Sequence, residues 1–545
     1  MTFEAKSRNG MVVAKHNLAA AVGLEVLKQG GNAVDAAVAT AFAIGVVEPF
    51  MSGLGGGGNM VIHLSNGETI DLDYIPKTPM KASANMYELE EGASGAYAWP
   101  SVKNQENMVG YKSVCVPGTV AGLCEALEKY GTMSLDQVLK GAIKLAEHGF
   151  PVSSYASICI SQNAQFLARF PESAKIFLKD GKYPLAPAAL IPAYPADMLV
   201  QRDLAITLKR IAKEGVDGFY KGEVAHAIVS DMEEHGGLIT EADLESFKAR
   251  YLRPRRAEYR GFHVLCPPTH GGVTLLETLR VLDGFDLGSF GHGSVKAYHY
   301  IAEAMRWSFR DRLSVLWDPE SEKVDIDWLL SDSHILEIRE EITSGKPLHG
   351  SYTDAPEKGH TTHLSVVDKD RNTVSLTQTL LDLFGSKVTA KGTGVILNNG
   401  MAWFNPKPDT IASIRPGKYP MSAITPTIIL TGKGEPFVSL GAVGYRRIIG
   451  ALANIITNIV DFGFGIQEAM DTPRIDYSTD ILYVDARVEH SIVEGLSALG
   501  HKVEQVGEDI ATMNFASPCG ILIDRQNILH GGKDSLKPDN AALGY

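Results

Sequence analysis

The sequence predicts a mixed α/β (α+β) fold, in which hairpins of buried strands are interspersed with helices. Three observations carry this. Residues 357–380 read EKGHTTHLSVVDKDRNTVSLTQTL. Thr362, Leu364 and Val366 alternate with His363, Ser365 and Val367; the polar turn Asp368–Asn372 follows, and alternation resumes over Thr373–Thr379, as in two paired strands. Met60–Leu64 and Glu68–Leu72 flank Ser65-Asn66-Gly67, a hairpin turn signal. Asn17–Lys28 sets Leu18, Val22 and Val26 on one helical stripe; Gly30-Gly31 ends it, and Asn32 can cap a second helix, Ala33–Ile44, rich in Ala and Val as a buried helix is.

The remaining elements are read in order. Glu48-Pro49 leads into the run Gly55–Gly58, which looks like a phosphate loop. No Gly-Lys-Ser/Thr follows it and no G-x-G-x-x-G opens a helix, so the run predicts a backbone packed too close to another segment for any Cβ. Residues 74–111 are polar and loop-like. Cys115–Gly122 enters a helix ending at Tyr130, with Gly131 as its stop. Lys296–Arg312 is a helix turning Tyr300, Ala304 and Ser308 toward the core. Thr343–Lys358 is polar and rich in charge, Gly and Pro, and reads as an exposed linker. Gly392–Asn399 reads as a strand, Ser422–Thr427 leads into the strand Ile428–Leu430, and Gly441–Arg447 turns into the helix Ile448–Val460. No internal repeat or low-complexity tract is present.

Composition excludes several functions. A net charge of −13 over 545 residues argues against a basic nucleic-acid surface. The first residues carry no apolar signal segment, and no run of about 18 apolar residues exists to span a membrane. The five cysteines (Cys115, Cys124, Cys159, Cys266, Cys519) are scattered, with no C-x-x-C pair, which fits a reduced, cytoplasmic protein. No His/Cys/Asp group has ligand spacing, so neither a metal nor an organic cofactor is implied.

His360-Thr361-Thr362-His363 alone is an ordinary strand sequence; its surroundings are not. GGNAVDAAVA (30–39), the glycine run, GAIKLAEHGFPV (141–152), GFYKGE (218–223), GGLITEADL (236–244), YRGFHV (259–264), PPTHGGVTL (267–275) and Tyr298–Pro319 with its Arg310-Asp311-Arg312 occur in one order. From about residue 10 to Gly544-Tyr545 the chain thereby resembles the γ-glutamyltransferase family of N-terminal-nucleophile hydrolases. The resemblance implies a four-layer αββα sandwich. It also implies self-cleavage at His360–Thr361, with the fragments 1–360 and 361–545 interleaved in one domain. Thr361 is then the nucleophile, Thr379 orients it, and the backbone of Gly444-Tyr445 forms the oxyanion hole. The chemistry is sound on its own terms. A threonine hydroxyl needs a base, and cleavage would free an α-amine of pKa roughly 7.7–8.0 on the same residue.

Departures from the family concern the substrate. The family's carboxylate-binding Arg falls at Ile75, and its amine-binding positions at Leu381, Gly400 and Trp403. Of its serine pair only Ser422 remains, beside Ala423. An unpartnered buried charge typically costs about 2–5 kcal/mol, so the pocket reads as rebuilt for something other than a free γ-glutamyl head. Residues 404–420 look too short for a long lid, which predicts an open pocket that favours hydrolysis. The sequence thus reads as a self-cleaving amide hydrolase, or acyltransferase, acting on a small-molecule amide; a homodimer is left open. One alternative is a true glutathione hydrolase with a replacement cation among Lys77, Lys81, Lys387 and Arg446. The other is an inactive relative with a binding role.

Overall fold

The computed structural model describes residues 4–94, 99–188, 195–316, 325–345 and 359–545. Two seven-stranded antiparallel sheets form its centre. The first runs, in spatial order, Arg250–Leu252, Thr69–Asp73, Gly57–His63, Thr373–Leu381, His360–Val367, Met11–Ala14 and Ala541–Gly544. The second runs Ala5–Ser7, Leu529–Lys533, Ser517–Ile523, Pro436–Val443, Thr427–Leu430, Phe262–Cys266 and Arg255–Tyr259. Both sheets draw strands from either side of residue 361.

Period-2 alternation decides where each face goes. Leu364, Val366, Val374 and Leu376 point from the first sheet into an apolar layer shared with the helices Asn17–Lys28, Ala33–Val47, Thr119–Tyr130 and Leu135–His148. Val264, Ile429, Val438 and Leu440 do the same from the second sheet, against His270–Leu282, Val295–Val315 and Arg447–Val460. Between the sheets lie Val61, Leu265, Ile428 and Leu430, and a second group of Met11, Val13, Val367, Cys519 and Ile521. Polar pairs stitch the same interface: Ser439 donates to Ser365 Oγ (2.9 Å) and Ser375 to the Leu440 carbonyl (3.0 Å). The result is the four-layer αββα sandwich. Its central strands are buried on both faces, which is why their polar residues need partners inside the protein.

Local signals explain the elements. Asn32 accepts from Val34 and Asp35 N–H, while Asp35 accepts from Asn32 N–H, a capping box opening the helix Ala33–Val47. Every residue of that helix except Gly45 is buried, and it runs three residues beyond the expected Ile44. The glycine run makes the close approach its composition predicts. A Cβ at Gly55 would overlap the Ile396 carbonyl, at Gly56 the Thr379 carbonyl, and at Gly58 the Thr377 carbonyl.

Three expectations change. Residues 392–399 are not a strand: only the single bridges Thr389–Ile396 and Gly55–Leu397 form. Gly394 has φ +69°, and Asn398 uses its side chain to bind the backbone of Gly55, Cys115 and Gly400. The polar stretch 74–111 contains a short strand pair, Leu89–Ser94 with Pro100–Val102. Of the proposed linker, Thr343 and Ser344 finish the helix Asp332–Ser344, and residues 346–358 lie outside the described set. All five cysteines are buried free thiols, and among the described residues no helix is long and apolar enough to cross a membrane.

A methyl group at Gly56 has backbone, not a flexible side chain, in its way. Gly56→Ala should cost about 1–3 kcal/mol of stability, measured by chemical denaturation. An unchanged unfolding midpoint would show that the strands separate easily there.

Candidate active site

The strand His360–Val367 pairs with Thr373–Leu381 at both ends but changes register near its start: His360 faces Leu381, whereas Thr362 faces Gln378. One residue, Thr361, therefore opposes two, and Thr379-Leu380 bulge opposite it. Leu381 takes φ +88°, an uncommon conformation for a branched residue. Bulges re-aim side chains, and this one turns the Thr379 hydroxyl onto the backbone ahead of Thr361. Thr379 Oγ1 donates to the His360 carbonyl oxygen at 2.5 Å and accepts from Leu381 N–H at 2.7 Å. In the continuous chain its partner is the carbonyl of the His360–Thr361 bond. Thr361 itself is buried, with 2 % of its surface exposed.

Charged groups surround this strand end. The Thr362 hydroxyl donates to Glu48 Oε2 at 3.0 Å. Burial pushes Glu48 up to about 7, against the opposing effects of the Lys15 ammonium and this hydrogen bond. Burial, helped by Lys15, pulls His363 down to about 3, so its ring is neutral at pH 7, between Thr377 Oγ1 (2.8 Å) and Ser365 Oγ (3.1 Å). On the other side His360 Nδ1 lies 3.4 Å from Asp382 Oδ1, and Lys387 Nζ 3.3 Å from Asp382 Oδ2. Burial alone would raise Asp382; the Lys387 and His360 charges outweigh it and hold the carboxyl well below its ordinary range.

Gly444 and Tyr445 form the turn ahead of the helix Arg447–Val460, with φ +141° and +58°. A tyrosine in that conformation costs of order 1–3 kcal/mol. Gly359 packs directly on the Tyr445 side chain, so the backbone just ahead of His360 lies over this turn. Leu381, Trp403, Ala423 and Tyr445 form one buried apolar group with Ala412 and Met421; the Trp403 and Tyr445 rings are 5.4 Å apart. Ile75 packs instead with Tyr419 and Ile424, and shares with Ser422 a cavity of about 10 Å³.

Ala412, from the 404–420 segment, packs into the apolar group, because Trp403 and Tyr445 offer it an apolar surface to cover. Among the four candidate cations, Lys387 is committed to Asp382 and neighbouring carbonyls, and Arg446 is buried with Arg447 near Asp476. Lys77 lies 5.8 Å from the Phe247 ring, and Lys81 is exposed. The cation that does meet Ile75 and Ser422 is Arg250, which pairs with Asp73 and lies 3.7 Å from the Tyr419 ring centre. Arg312, fully buried, donates to the Ser422 carbonyl at 2.8 Å. Sequence reasoning missed Glu48, Asp382, Arg250 and Arg312. Only Glu48 left a signal, as an acid at the end of an otherwise apolar helix.

The family model described as Gamma-glutamyltranspeptidase matches residues 19–544. The chain belongs to the gamma-glutamyltranspeptidase family. It is thus an enzyme of the N-terminal-nucleophile hydrolase class, which includes both hydrolases and acylases. It is 40% identical to a glutathione hydrolase proenzyme of Pseudomonas sp. (strain A14), over 99% of this chain and 95% of that one. It is 39% identical to the acylase ACY 1 proenzyme of Pseudomonas sp. (strain SE83), over 92% and 88%. Among solved structures, the cephalosporin acylase from Bacillus halodurans superposes with a TM-score of 0.86 at 27% identity, covering 100% of this chain and 97% of that one.

Glu48 gives the family fold here a pH signature. Its folded value of about 7 exceeds the ordinary 4.5, so between these the folded chain holds a proton that the unfolded chain has released. Stability should fall as pH rises through that window and level off above about 7. Glu48→Gln removes this contribution, so urea midpoints at pH 5 and pH 8 should differ less in the variant. An equal difference in both proteins would show that Glu48 does not titrate there.

Proposed function

We propose that this enzyme cuts itself between His360 and Thr361, then hydrolyses amides whose acyl part lacks an α-amino-acid head. The observation that carries the substrate reading is the apolar group Leu381, Trp403, Ala423 and Tyr445. It is packed at the strand end that holds Thr361 and Thr379, at positions where the family resemblance puts polar contacts.

In the cut, the Thr361 hydroxyl attacks the His360 carbonyl carbon. The His360–Thr361 C–N bond breaks, the nitrogen takes a proton, and an ester forms on Thr361. Water then cleaves the ester to a His360 carboxylate and a free Thr361. Thr379, donating to that carbonyl oxygen at 2.5 Å, stabilises the charge that develops on it; one such donor is worth about 10²–10³ in rate. The relatives named as proenzymes fit this step. Each sheet contains strands from both fragments, so the halves stay joined afterwards.

In turnover the freed α-amine takes the hydroxyl proton as Thr361 attacks the substrate carbonyl. Gly444 and Tyr445 N–H groups receive the oxyanion, the amine product leaves, and water or a second amine takes the acyl group. Trp403 and Tyr445 supply flat apolar surface suited to an alkyl or aromatic acyl chain. One observation favours a second reading: Arg250, beside Ile75 and Ser422, is placed to replace the missing carboxylate-binding arginine of a glutathione hydrolase.

A substrate panel on matured enzyme separates the two. Short acyl anilides and β-lactam side-chain amides should be turned over at least about tenfold better than glutathione or γ-glutamyl anilide. Ile75→Arg with Trp403→Asp should raise γ-glutamyl turnover. Wild-type kcat/KM on glutathione of about 10⁴ M⁻¹s⁻¹ or more, within the ordinary enzyme range, would overturn the acylase reading in favour of Arg250.

A further inference from the structure

Three helices meet behind the pocket, and each contributes one side chain to a single buried point. Glu277 comes from His270–Leu282, Asp311 from Val295–Val315 and His334 from Asp332–Ser344. Their exposures are 0 %, 4 % and 4 %. His334 Nε2 lies 2.7 Å from Asp311 Oδ2 and 3.6 Å from Glu277 Oε1, and one donor atom from each residue falls within 4.8 Å of the other two. Asp311 Oδ1 accepts from Arg310 Nε at 2.9 Å, and the Trp328 ring covers His334 at 4.0 Å. Both carboxylate oxygens of Glu277, and Nδ1 of His334, lack a hydrogen-bond partner among the described residues. A wholly buried carboxylate with neither oxygen bonded is costly unless a cation or a proton meets it.

We propose that Glu277, Asp311 and His334 bind one divalent transition-metal ion of the zinc class. One imidazole nitrogen and two carboxylate oxygens form a donor set such ions accept, and the ion's charge balances the two carboxylates. Bonds of roughly 2.0–2.2 Å in tetrahedral geometry put neighbouring donors about 3.4 Å apart. The Glu277–His334 edge of 3.6 Å already fits, and the Asp311–His334 edge of 2.7 Å needs to open by less than about 1 Å. Arg310 acts as the outer partner that orients Asp311. The three residues are far apart in sequence, so no ligand spacing announces them. The ion would fasten the helix whose next residues serve the pocket: Arg312 donates to the Ser422 carbonyl, and Leu313 packs against the apolar group of Trp403 and Ala423. This site is independent of the acylase reading.

The test uses the purified full chain, stripped with a chelator and then titrated with zinc chloride by calorimetry, with bound metal counted by mass spectrometry. About one zinc per chain and a zinc-dependent rise in melting temperature are expected. Glu277→Gln and His334→Gln should each weaken uptake by more than about 100-fold, beyond the effect of losing an outer partner. No stoichiometric zinc at micromolar concentration would overturn the proposal and leave shared protons to hold the three groups. Undiminished uptake by both variants would also overturn it and point to the more exposed set Asp231, Glu234 and His235. If the variants do not fold, cobalt loading of the wild type decides. A four- or five-coordinate spectrum without thiolate bands supports the site, whereas a six-coordinate or thiolate spectrum contradicts it.

Discussion

The strand Thr373–Leu381 has to be approached at backbone distance from both sides, and the rest of the site depends on that. Gly57–His63 lies along one edge and His360–Val367 along the other. The first approach is open only to glycine: at Gly56 and Gly58 any Cβ would meet the carbonyls of Thr379 and Thr377. The second includes the bulge that swings the Thr379 hydroxyl onto the His360 carbonyl. Glycines on one edge thus fix the strand whose bulge, on the other, meets the His360–Thr361 peptide bond.

Burial gives the same place its electrostatic character. Strands covered on both faces leave their polar side chains to find partners within the protein. Glu48, raised toward neutrality, meets Thr362, while Asp382, held ionised by Lys387 and His360, lies beside the residue ahead of Thr361. His363 stays neutral between two hydroxyls of its own sheet, Thr377 and Ser365. The two residues that flank Thr361 thus each have a carboxyl partner, Thr362 in Glu48 and His360 in Asp382.

Much of the fold was legible in the sequence because its signals were local. The helix start at Asn32 and the period-2 run around Thr361 each depend on a few adjacent residues, and the structure has both. Residues 392–399 misled because a short apolar run, Val395–Leu397, says nothing about whether a partner strand is free; Asn398 and Gly394 took the backbone elsewhere. The site was legible only in part. Motif order singled out Thr361, Thr379, Tyr445 and Trp403, and the structure sets Thr379 on the carbonyl ahead of Thr361 and Trp403 beside Tyr445. The length of the 404–420 segment does not reveal that Ala412 packs in one apolar group with Trp403. Arg250, Arg312 and Asp382 matter through contacts between residues distant in the chain or through burial, and neither is written in local pattern.

Thr361 as a nucleophile exposed by its own chemistry is tested most directly by intact-mass analysis and N-terminal sequencing of the purified protein and of Thr361→Ala. Scaling 58.8 kDa by 360/545 gives fragments of roughly 39 and 20 kDa. The smaller fragment should begin Thr-Thr-His, and Thr361→Ala should remain a single chain. Wild-type protein that stays whole after long incubation, a fragment beginning at another residue, or a cleaved Thr361→Ala would contradict it.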